Sequence, residues 1–266
     1  MKKILFIVSA VFLLSACKSK EKGADKAKFN DLTNENLKGN ITSIEETPYK
    51  TDSAGKIGEM DSCCIGMAEI DNNGNYLKWT EKDSKGTVKN QSAYERYEDG
   101  LWKSSKDTKD GKPSSSMETK RDDKGQYNWA AQYDSTGKLD KYYTGITQNE
   151  FGQVLTWKEY DKDSVFRQEG MSVYDKSMQT SFTMKDSTGK VKTSITNKYN
   201  DKGEQTESSN TTITKDTTKT ELTKYTYDSH DEMGNWTQRT TWNDKGKATK
   251  ITKRVYSYRK DEEVKK

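Results

Sequence analysis

The 266-residue chain has 46 basic and 42 acidic residues, 29% hydrophobic residues, one His and three Cys. Nearly balanced charge argues against a nucleic-acid partner, which requires a basic face or stripe. A single His excludes multi-His metal sites. Low net charge, six Trp and fifteen Tyr favour a folded chain over a disordered one. The composition therefore predicts a β protein whose thin core consists of aromatic and Thr side chains.

Residues 1–16 have the pattern of a signal peptide. Lys2 and Lys3 precede an apolar run at 4–14, which is too short to span a bilayer as a helix. Leu14-Ser15-Ala16-Cys17 resembles the lipobox of bacterial lipoproteins, which implies cleavage before Cys17 and acylation of Cys17. An ordinary secretory signal with an incidental Cys is the alternative. Without residues 1–16 the chain loses two Lys, and 44 basic against 42 acidic residues give a formal charge of +2.

Residues 17–38 are predicted to be the lipidated Cys17 followed by a polar tether, with a short helical turn between Asp31 and Leu37. We expect the membrane to be a partner through the lipid on Cys17. Lys18 after Cys17 is compatible with transfer to the outer membrane under the sorting rule of enterobacteria. The sequence thus predicts a cell-envelope protein at the outer membrane, on either its periplasmic or its surface side.

Residues 39–258 repeat one unit, in which Asp or Asn is followed three positions later by Gly and five positions later by an apolar residue. Asp or Asn caps a type I turn and Gly adopts the left-handed conformation of a following bulge, which together indicate a β-hairpin. The residue before the unit should face its sixth residue, as in Tyr133–Leu139, Trp242–Ala248 and His230–Trp236. The glycines are Gly55, Gly74, Gly86, Gly125, Gly137, Gly152, Gly189, Gly203, Gly234 and Gly246. Only the unit of Gly203 departs from the pattern, because Gln205 occupies its apolar position.

The fold class predicted from these units is all-β, a long antiparallel meander of hairpins. About fifteen strands are too many for a flat sheet, so we expect one curled sheet or an open barrel. Strict alternation predicts that Tyr127, Trp129, Ala131 and Tyr133 share one face, as do Val191, Thr193, Ile195 and Tyr199. The body reads as a single domain, and residues 259–266 form a charged tail.

Two stretches of the chain have recognisable motifs. The opening strand has the spaced residues Leu37, Gly39, Ile41, Ser43, Ile44, Glu46 and Tyr49. The body contains Tyr133-Asp134-x-x-Gly137 and Asp231-x-x-Gly234-Asn235-Trp236. Both stretches resemble the hairpin-repeat lipoproteins of Bacteroidetes, whose body carries RHS/YD-like units. The resemblance covers roughly residues 37–258 and implies an envelope-anchored, all-β, non-catalytic protein.

Few residues offer catalytic or metal chemistry. His230 precedes a turn and is predicted to be a packing residue rather than a base. The loop from Asp71 suggests a calcium loop, but Lys82 stands where an EF-hand requires Glu. Cys63 and Cys64 are predicted to be thiols, with a vicinal disulfide as the alternative. We therefore predict no enzyme activity, no catalytic residue, no metal and no cofactor.

The six tryptophans allow two interpretations. They can replace missing aliphatic residues in the core, or they can form an exposed platform that stacks on sugar rings. The candidate ligand-stacking residues are Trp79, Trp129, Trp157, Trp236 and Trp242. We expect a non-enzymatic scaffold or binding surface for a protein or glycan partner, and the alternative is a glycan-binding accessory lipoprotein.

Overall fold

A computed structural model describes residues 30–52 and 54–259. Cys17 and residues 260–266 lie outside the described residues. One four-residue helix, α1, precedes seventeen strands. The elements are α1 (Asp31–Asn34), β1 (Ile41–Thr51), β2 (Ile57–Met60), β3 (Cys63–Ile70), β4 (Tyr76–Asp83), β5 (Val88–Arg96), β6 (Trp102–Lys109), β7 (Lys112–Arg121), β8 (Tyr127–Asp134), β9 (Leu139–Gln148), β10 (Val154–Asp161), β11 (Phe166–Asp175), β12 (Met178–Asp186), β13 (Val191–Tyr199), β14 (Gln205–Ile213), β15 (Thr218–His230), β16 (Trp236–Trp242) and β17 (Ala248–Tyr258).

The strands form a closed antiparallel barrel. Each strand from β3 to β17 pairs with its neighbour in the chain, and β1 closes the ring by pairing with both β3 and β17. Sixteen strands make the ring, while the short β2 adds to the end of β1. The predicted all-β meander is confirmed, and its curling proceeds to closure, which leaves no unpaired sheet edge in the ring.

The repeated turns have the predicted local chemistry. At Asp186, carboxylate oxygen Oδ1 accepts hydrogen bonds from the backbone N–H groups of Thr188 (2.9 Å) and Lys190 (3.1 Å). Gly189 has φ of +80°, the left-handed region that the turn requires. The predicted pairs Tyr133–Leu139, Trp242–Ala248 and His230–Trp236 are confirmed by the register.

A β-bulge follows most of these turns and corrects two predicted alternations. On β8, Tyr127 pairs with Arg121 and Trp129 pairs with the adjacent Lys120, so the intervening Asn128 has no partner. One unpaired residue reverses which face the next residue occupies, so Tyr127 and Trp129 lie on opposite faces. The prediction that they share a face is wrong. Val191 and Thr193 are separated in the same way by a bulge on β13.

Because neighbouring strands are antiparallel, successive turns lie alternately at the two ends of the barrel. The plugged end contains the start of β1, the end of β17 and residues 30–38. Its turns of the repeated type begin at Asp71, Tyr97, Asp122, Asn149, Asn200 and Asp231. Turns of the same type at the opposite end, the far end, begin at Asp52, Asp83, Asp134, Asp161, Asp186 and Asn243.

Residues 30–38 lie across the plugged end, in contact with strands from several sides of the ring. Backbone bonds join Leu32 N–H to Gly74 C=O (3.1 Å), and the Asn36 side chain donates to Lys202 C=O (2.6 Å). Leu32 is buried in a core of one face of the sheet, formed with Ile41, Ile44, Ala68 and Ile70. A short helix confirms the predicted helical turn. Residues 30–38, which composition places in the tether, are instead part of the folded unit.

Cys63 and Cys64 are joined by a disulfide bond, so the prediction of two thiols is wrong. The pair lies at the start of β3, near the far end. Within residues 30–52 and 54–259, no helix is both long enough and apolar enough to cross a bilayer.

Candidate ligand-binding lumen

The inner face of the barrel is identified by the side chains that meet residues 30–38. Tyr76 donates its hydroxyl proton to the carboxylate of Glu35, and Arg254 forms an ion pair with the same carboxylate at 3.8 Å. The strand register then assigns the other side chains to the inner or the outer face, because cross-strand partners share a face. Inner residues on neighbouring strands line two connected cavities.

The larger cavity has a volume of about 610 Å³ and is enclosed by β6 to β12. Its walls are largely aromatic, and the rings of Tyr143 and Trp157 meet edge to face with centroids 5.6 Å apart. Trp157 lies flat against Gly170, where a Cβ atom would approach the indole to 2.3 Å. The rings in the wall belong to Trp102, Tyr127, Tyr143, Trp157, Tyr174 and Phe182.

A second cavity of about 430 Å³ lies beneath residues 34–38. Tyr174 and Gln179 line both cavities and connect them. This cavity is more polar, since Glu35, Arg239 and Arg254 contribute to its wall. The Arg254 and Arg239 guanidinium groups lie 4.1 and 4.8 Å from the Trp236 ring centroid, in cation–π geometry.

Charged pairs hold the plugging segment in place. Asp31 forms an ion pair with Arg96 and accepts the Tyr76 backbone N–H at 2.8 Å. Arg254 pairs with both Glu46 and Glu35. Burial raises the pKa of Asp31 and of Glu35, although Arg96 and Arg254 respectively act against the rise. Burial acts to lower the pKa of Arg254, but the Glu46 and Glu35 carboxylates raise it above its usual value.

The five candidate tryptophans do not form one platform. Trp79, Trp157 and Trp236 are on the inner face, and Trp236 is buried with 8% of its surface exposed. Trp129 and Trp242 lie on the outer face, where Lys120 covers the Trp129 ring and Thr226 accepts the Trp242 indole N–H at 3.0 Å. Trp102 joins the inner set.

The remaining candidates have structural partners. His230 Nε2 hydrogen-bonds Glu204 at 2.5 Å and the ring packs 6.5 Å from that of Tyr227. Asp71 Oδ1 accepts the backbone N–H groups of Asn73 (2.8 Å) and Asn75 (2.9 Å), so this atom serves the turn. Across residues 30–52 and 54–259, no group of three His, Cys, Asp or Glu side chains has metal-binding proximity.

Sequence reasoning missed the arginines and the turn at Tyr97. No motif in the sequence singles out Arg96, Arg239 and Arg254, yet all three lie inside the barrel against carboxylates or rings. The turn that starts at Tyr97 has no Asp or Asn at its first position. Its signals are Asp99-Gly100 and the apolar Trp102 two positions after the glycine.

A different set of rings lies together on the outer face near the far end. Tyr142 stacks on Tyr160 with centroids 5.3 Å apart, and Phe166 follows at 5.5 Å from Tyr160. They come from three adjacent strands, β9, β10 and β11. We name this set the outer ring ladder.

Fold and cavities define a closed antiparallel β-barrel with an aromatic-lined interior. The structure is similar to the crystal structure of a porin-like protein from Bacteroides uniformis, with a TM-score of 0.51 and 13% identity over 82% of this chain and 98% of that one. A porin-like protein from Bacteroides vulgatus gives a TM-score of 0.29 at 10% identity, with 83% and 99% of the two chains covered. The Tc holotoxin pore of Photorhabdus luminescens gives 0.28 at 13% identity, over 76% of this chain and 13% of that one.

No protein-family model matches the chain, and no curated protein matches it in sequence. At 13% identity, the Bacteroides uniformis structure supports the fold alone.

Proposed function

We propose that this protein is a non-enzymatic, lipid-anchored barrel of the bacterial cell envelope that stands in water and acts as a binding protein. The observation that carries the proposal is the charge on the outer face. Lys158, Glu169 and Lys185 lie side by side across β10, β11 and β12. Other outer-face charges are Glu45, Glu69, Lys78, Lys106, Glu118, Glu207, Lys224 and Lys253.

A bilayer-spanning barrel needs the opposite surface. It presents an outward apolar band about 25 Å tall, and each Lys or Arg at the bilayer midplane costs about 2–4 kcal/mol. An outward Lys or Glu on eleven of the sixteen ring strands, several of them at mid-strand, would make that cost prohibitive here. The outer face therefore supports a barrel in water, and the lipid predicted on Cys17 supplies the membrane attachment.

Lipid attachment is tested by metabolic labelling with tritiated palmitate. The wild-type chain should incorporate label and Cys17→Ala should not. Label retained by Cys17→Ala would contradict the proposed anchor.

The water-facing barrel is tested with a chain that starts at Lys18 and retains every residue that the structure describes. This chain should be monodisperse by light scattering without detergent and should give no conductance in planar bilayers. Stepwise single-channel currents would contradict the proposal.

The outer ring ladder favours glycan binding as a second candidate function. Aromatic rings at a protein surface stack on sugar rings, and three adjacent strands offer the half-buried Tyr142, Tyr160 and Phe166 in one row. Tyr160→Ser should abolish retention on a matching glycan array, whereas Thr196→Ser, an outer-face change on β13, should not. Equal retention of both variants, or no retention of the wild type, would exclude the ladder as a glycan site.

A further inference from the structure

The larger cavity has the size and composition of a ligand site. Small-molecule sites have volumes of about 300–1,000 Å³ and mainly apolar walls with a few placed polar groups. The cavity enclosed by β6 to β12 has about 610 Å³. Glu159 is the one charged side chain among the described residues that line it. The rest of the wall suits an uncharged, apolar group.

The wall chemistry favours a flexible chain over a rigid polar molecule. Met117 and Met184 contribute thioethers, which adapt to irregular shapes and contact rings favourably. Ile146 and Val154 add aliphatic surface. The Tyr127 hydroxyl is already used as a donor to Trp102 C=O at 2.7 Å, so it offers no free donor to a sugar.

Polar groups gather on one side of this cavity. Glu159 accepts a hydrogen bond from Gln168 Nε2 at 3.2 Å and an ion pair from Lys141 Nζ at 3.4 Å. All three lie toward the far end, because Glu159 is two residues before the turn at Asp161. The apolar part of the cavity extends from there toward the plugged end.

The two ends differ in access. Residues 30–38 and their ion pairs occupy the plugged end. At the far end the inner face is hydrophilic and exposed at Lys219, Glu221 and Lys250. A ligand would therefore enter from the far end, with its apolar part leading and its polar part remaining near Glu159.

We propose that the lumen binds a single-chain amphiphile, with the alkyl chain between Trp157, Phe182 and Met184 and a neutral polar head at Glu159 and Gln168. The inference rests on the proposed water-facing barrel, since such a barrel can shield an alkyl chain from water. Burial of the chain against rings and thioethers supplies the affinity.

The test uses the chain that starts at Lys18, the fluorescent probe N-phenyl-1-naphthylamine and the competitor 1-monopalmitoylglycerol. The probe should bind and fluoresce, and the competitor should displace it, whereas glycerol and cellohexaose should not. Displacement by cellohexaose would assign the lumen to glycans and overturn the proposal. Absence of probe binding by a chain that is monodisperse without detergent would overturn this inference and leave the water-facing barrel intact.

Two adjacent positions provide a matched pair of variants. Ser172 lines the cavity, while Val173 points outward with 48% of its surface exposed. Ser172→Trp should weaken probe binding by roughly tenfold or more, whereas Val173→Trp should leave it within about twofold. Met184→Gln keeps the side-chain length and makes the wall polar, so it should also weaken binding. Unchanged binding by both inner variants, or an equal loss in Val173→Trp, would overturn the lumenal site.

Discussion

The two ends of the barrel have the same type of turn, but the two residues that flank the turn and pair with each other lie on the inner face at one end and on the outer face at the other. At the plugged end, the residues flanking each turn of the repeated type point inward. These pairs are Ile70–Tyr76, Arg96–Trp102, Arg121–Tyr127, Gln148–Val154, Tyr199–Gln205 and His230–Trp236. At the far end they point outward, as Lys82–Val88, Tyr133–Leu139, Tyr160–Phe166, Lys185–Val191 and Trp242–Ala248.

The number of residues between successive turns explains why the flanking pairs lie on different faces. From Tyr76 to Lys82 there are six steps, which would return the chain to the same face of the sheet. The bulge at Leu77 adds one unpaired residue, so Lys82 lies on the other face. The turn unit therefore has no preferred face of its own. Because of these bulges, the pairs that flank such turns lie inside the barrel at the plugged end and outside it at the far end.

The largest expected effect breaks the plugged end. Arg254→Met removes the positive partner of Glu46 and Glu35 inside the barrel. Breaking a buried ion pair costs about 3–5 kcal/mol, because it leaves an uncompensated charge. Urea unfolding should show that loss. Lys198→Met, whose exposed side chain pairs with Glu207 on the outer face, should cost less than about 1 kcal/mol. Equal losses would contradict the difference between inner and outer charges.

A second variant tests whether residues 30–38 belong to the folded unit. Leu32 is 7% exposed and packs against Ile41 and Ile44. Leu32→Ala should lower the free energy of unfolding by about 2–5 kcal/mol, because it leaves a cavity. The exposed Leu77 on β4 supplies the control, and Leu77→Ala should change stability by about 0.5 kcal/mol or less. An unchanged midpoint for Leu32→Ala would mean that the segment is not docked.

A smaller effect is expected from Gly170, which gives space to the Trp157 ring on the inner wall. A Cβ atom there would lie 2.3 Å from the indole, so Gly170→Ala must displace the ring. Overpacking of this kind costs about 1–3 kcal/mol. Tryptophan emission should shift in Gly170→Ala and remain unchanged in Ser172→Ala. An unshifted spectrum with full stability would contradict the stacking of Trp157 on Gly170.

The smallest expected effect is the change in stability on lowering the pH, and its sign differs between the two ends. Hydrogen bonds from Thr188 lower the pKa of Asp186, a far-end turn residue, to about 2 from its ordinary 3.8. Its contribution to stability is present above 3.8 and is lost as pH falls toward 2. Burial raises the pKa of Asp31 and Glu35 at the plugged end. Falling pH through those raised values therefore favours the folded state.

Carboxyl carbon chemical shifts measured by NMR during an acid titration check both signs. Asp186 should titrate near 2, and Asp31 should titrate above 3.8. Thr188→Val should move the Asp186 pKa upward and leave that of Asp31 unchanged. A pKa of Asp186 near its ordinary value in the wild type would contradict the turn geometry.

The sequence predicts those features whose cause is local. Asp186, Thr188 and Gly189 specify a turn through bonds within five residues, so the hairpins and the pairs flanking them could be read directly. Closure could not, since the pairing of β1 with β17 joins residues at least 200 positions apart.

The candidate site was harder to predict because face assignment depends on bulges. One bulge at Asn128 separates Tyr127 from Trp129, so a simple alternation puts a lumenal ring and an outer ring on the same face. Arg254 gave no signal either, because nothing in its neighbourhood distinguishes an inward Arg from an exposed one. The location of residues 30–38 depends on contacts with Gly74 and Lys202, far along the chain.

Hydroxyl-radical footprinting with mass spectrometry tests the central difference between the two ends in one experiment. In the chain that starts at Lys18, Tyr127 and Trp236 flank plugged-end turns and are 6% and 8% exposed. Tyr133 and Trp242 flank far-end turns on the outer face. We expect slow oxidation of the first two rings and fast oxidation of the second two. Equal rates, or faster oxidation of Tyr127 and Trp236, would contradict it.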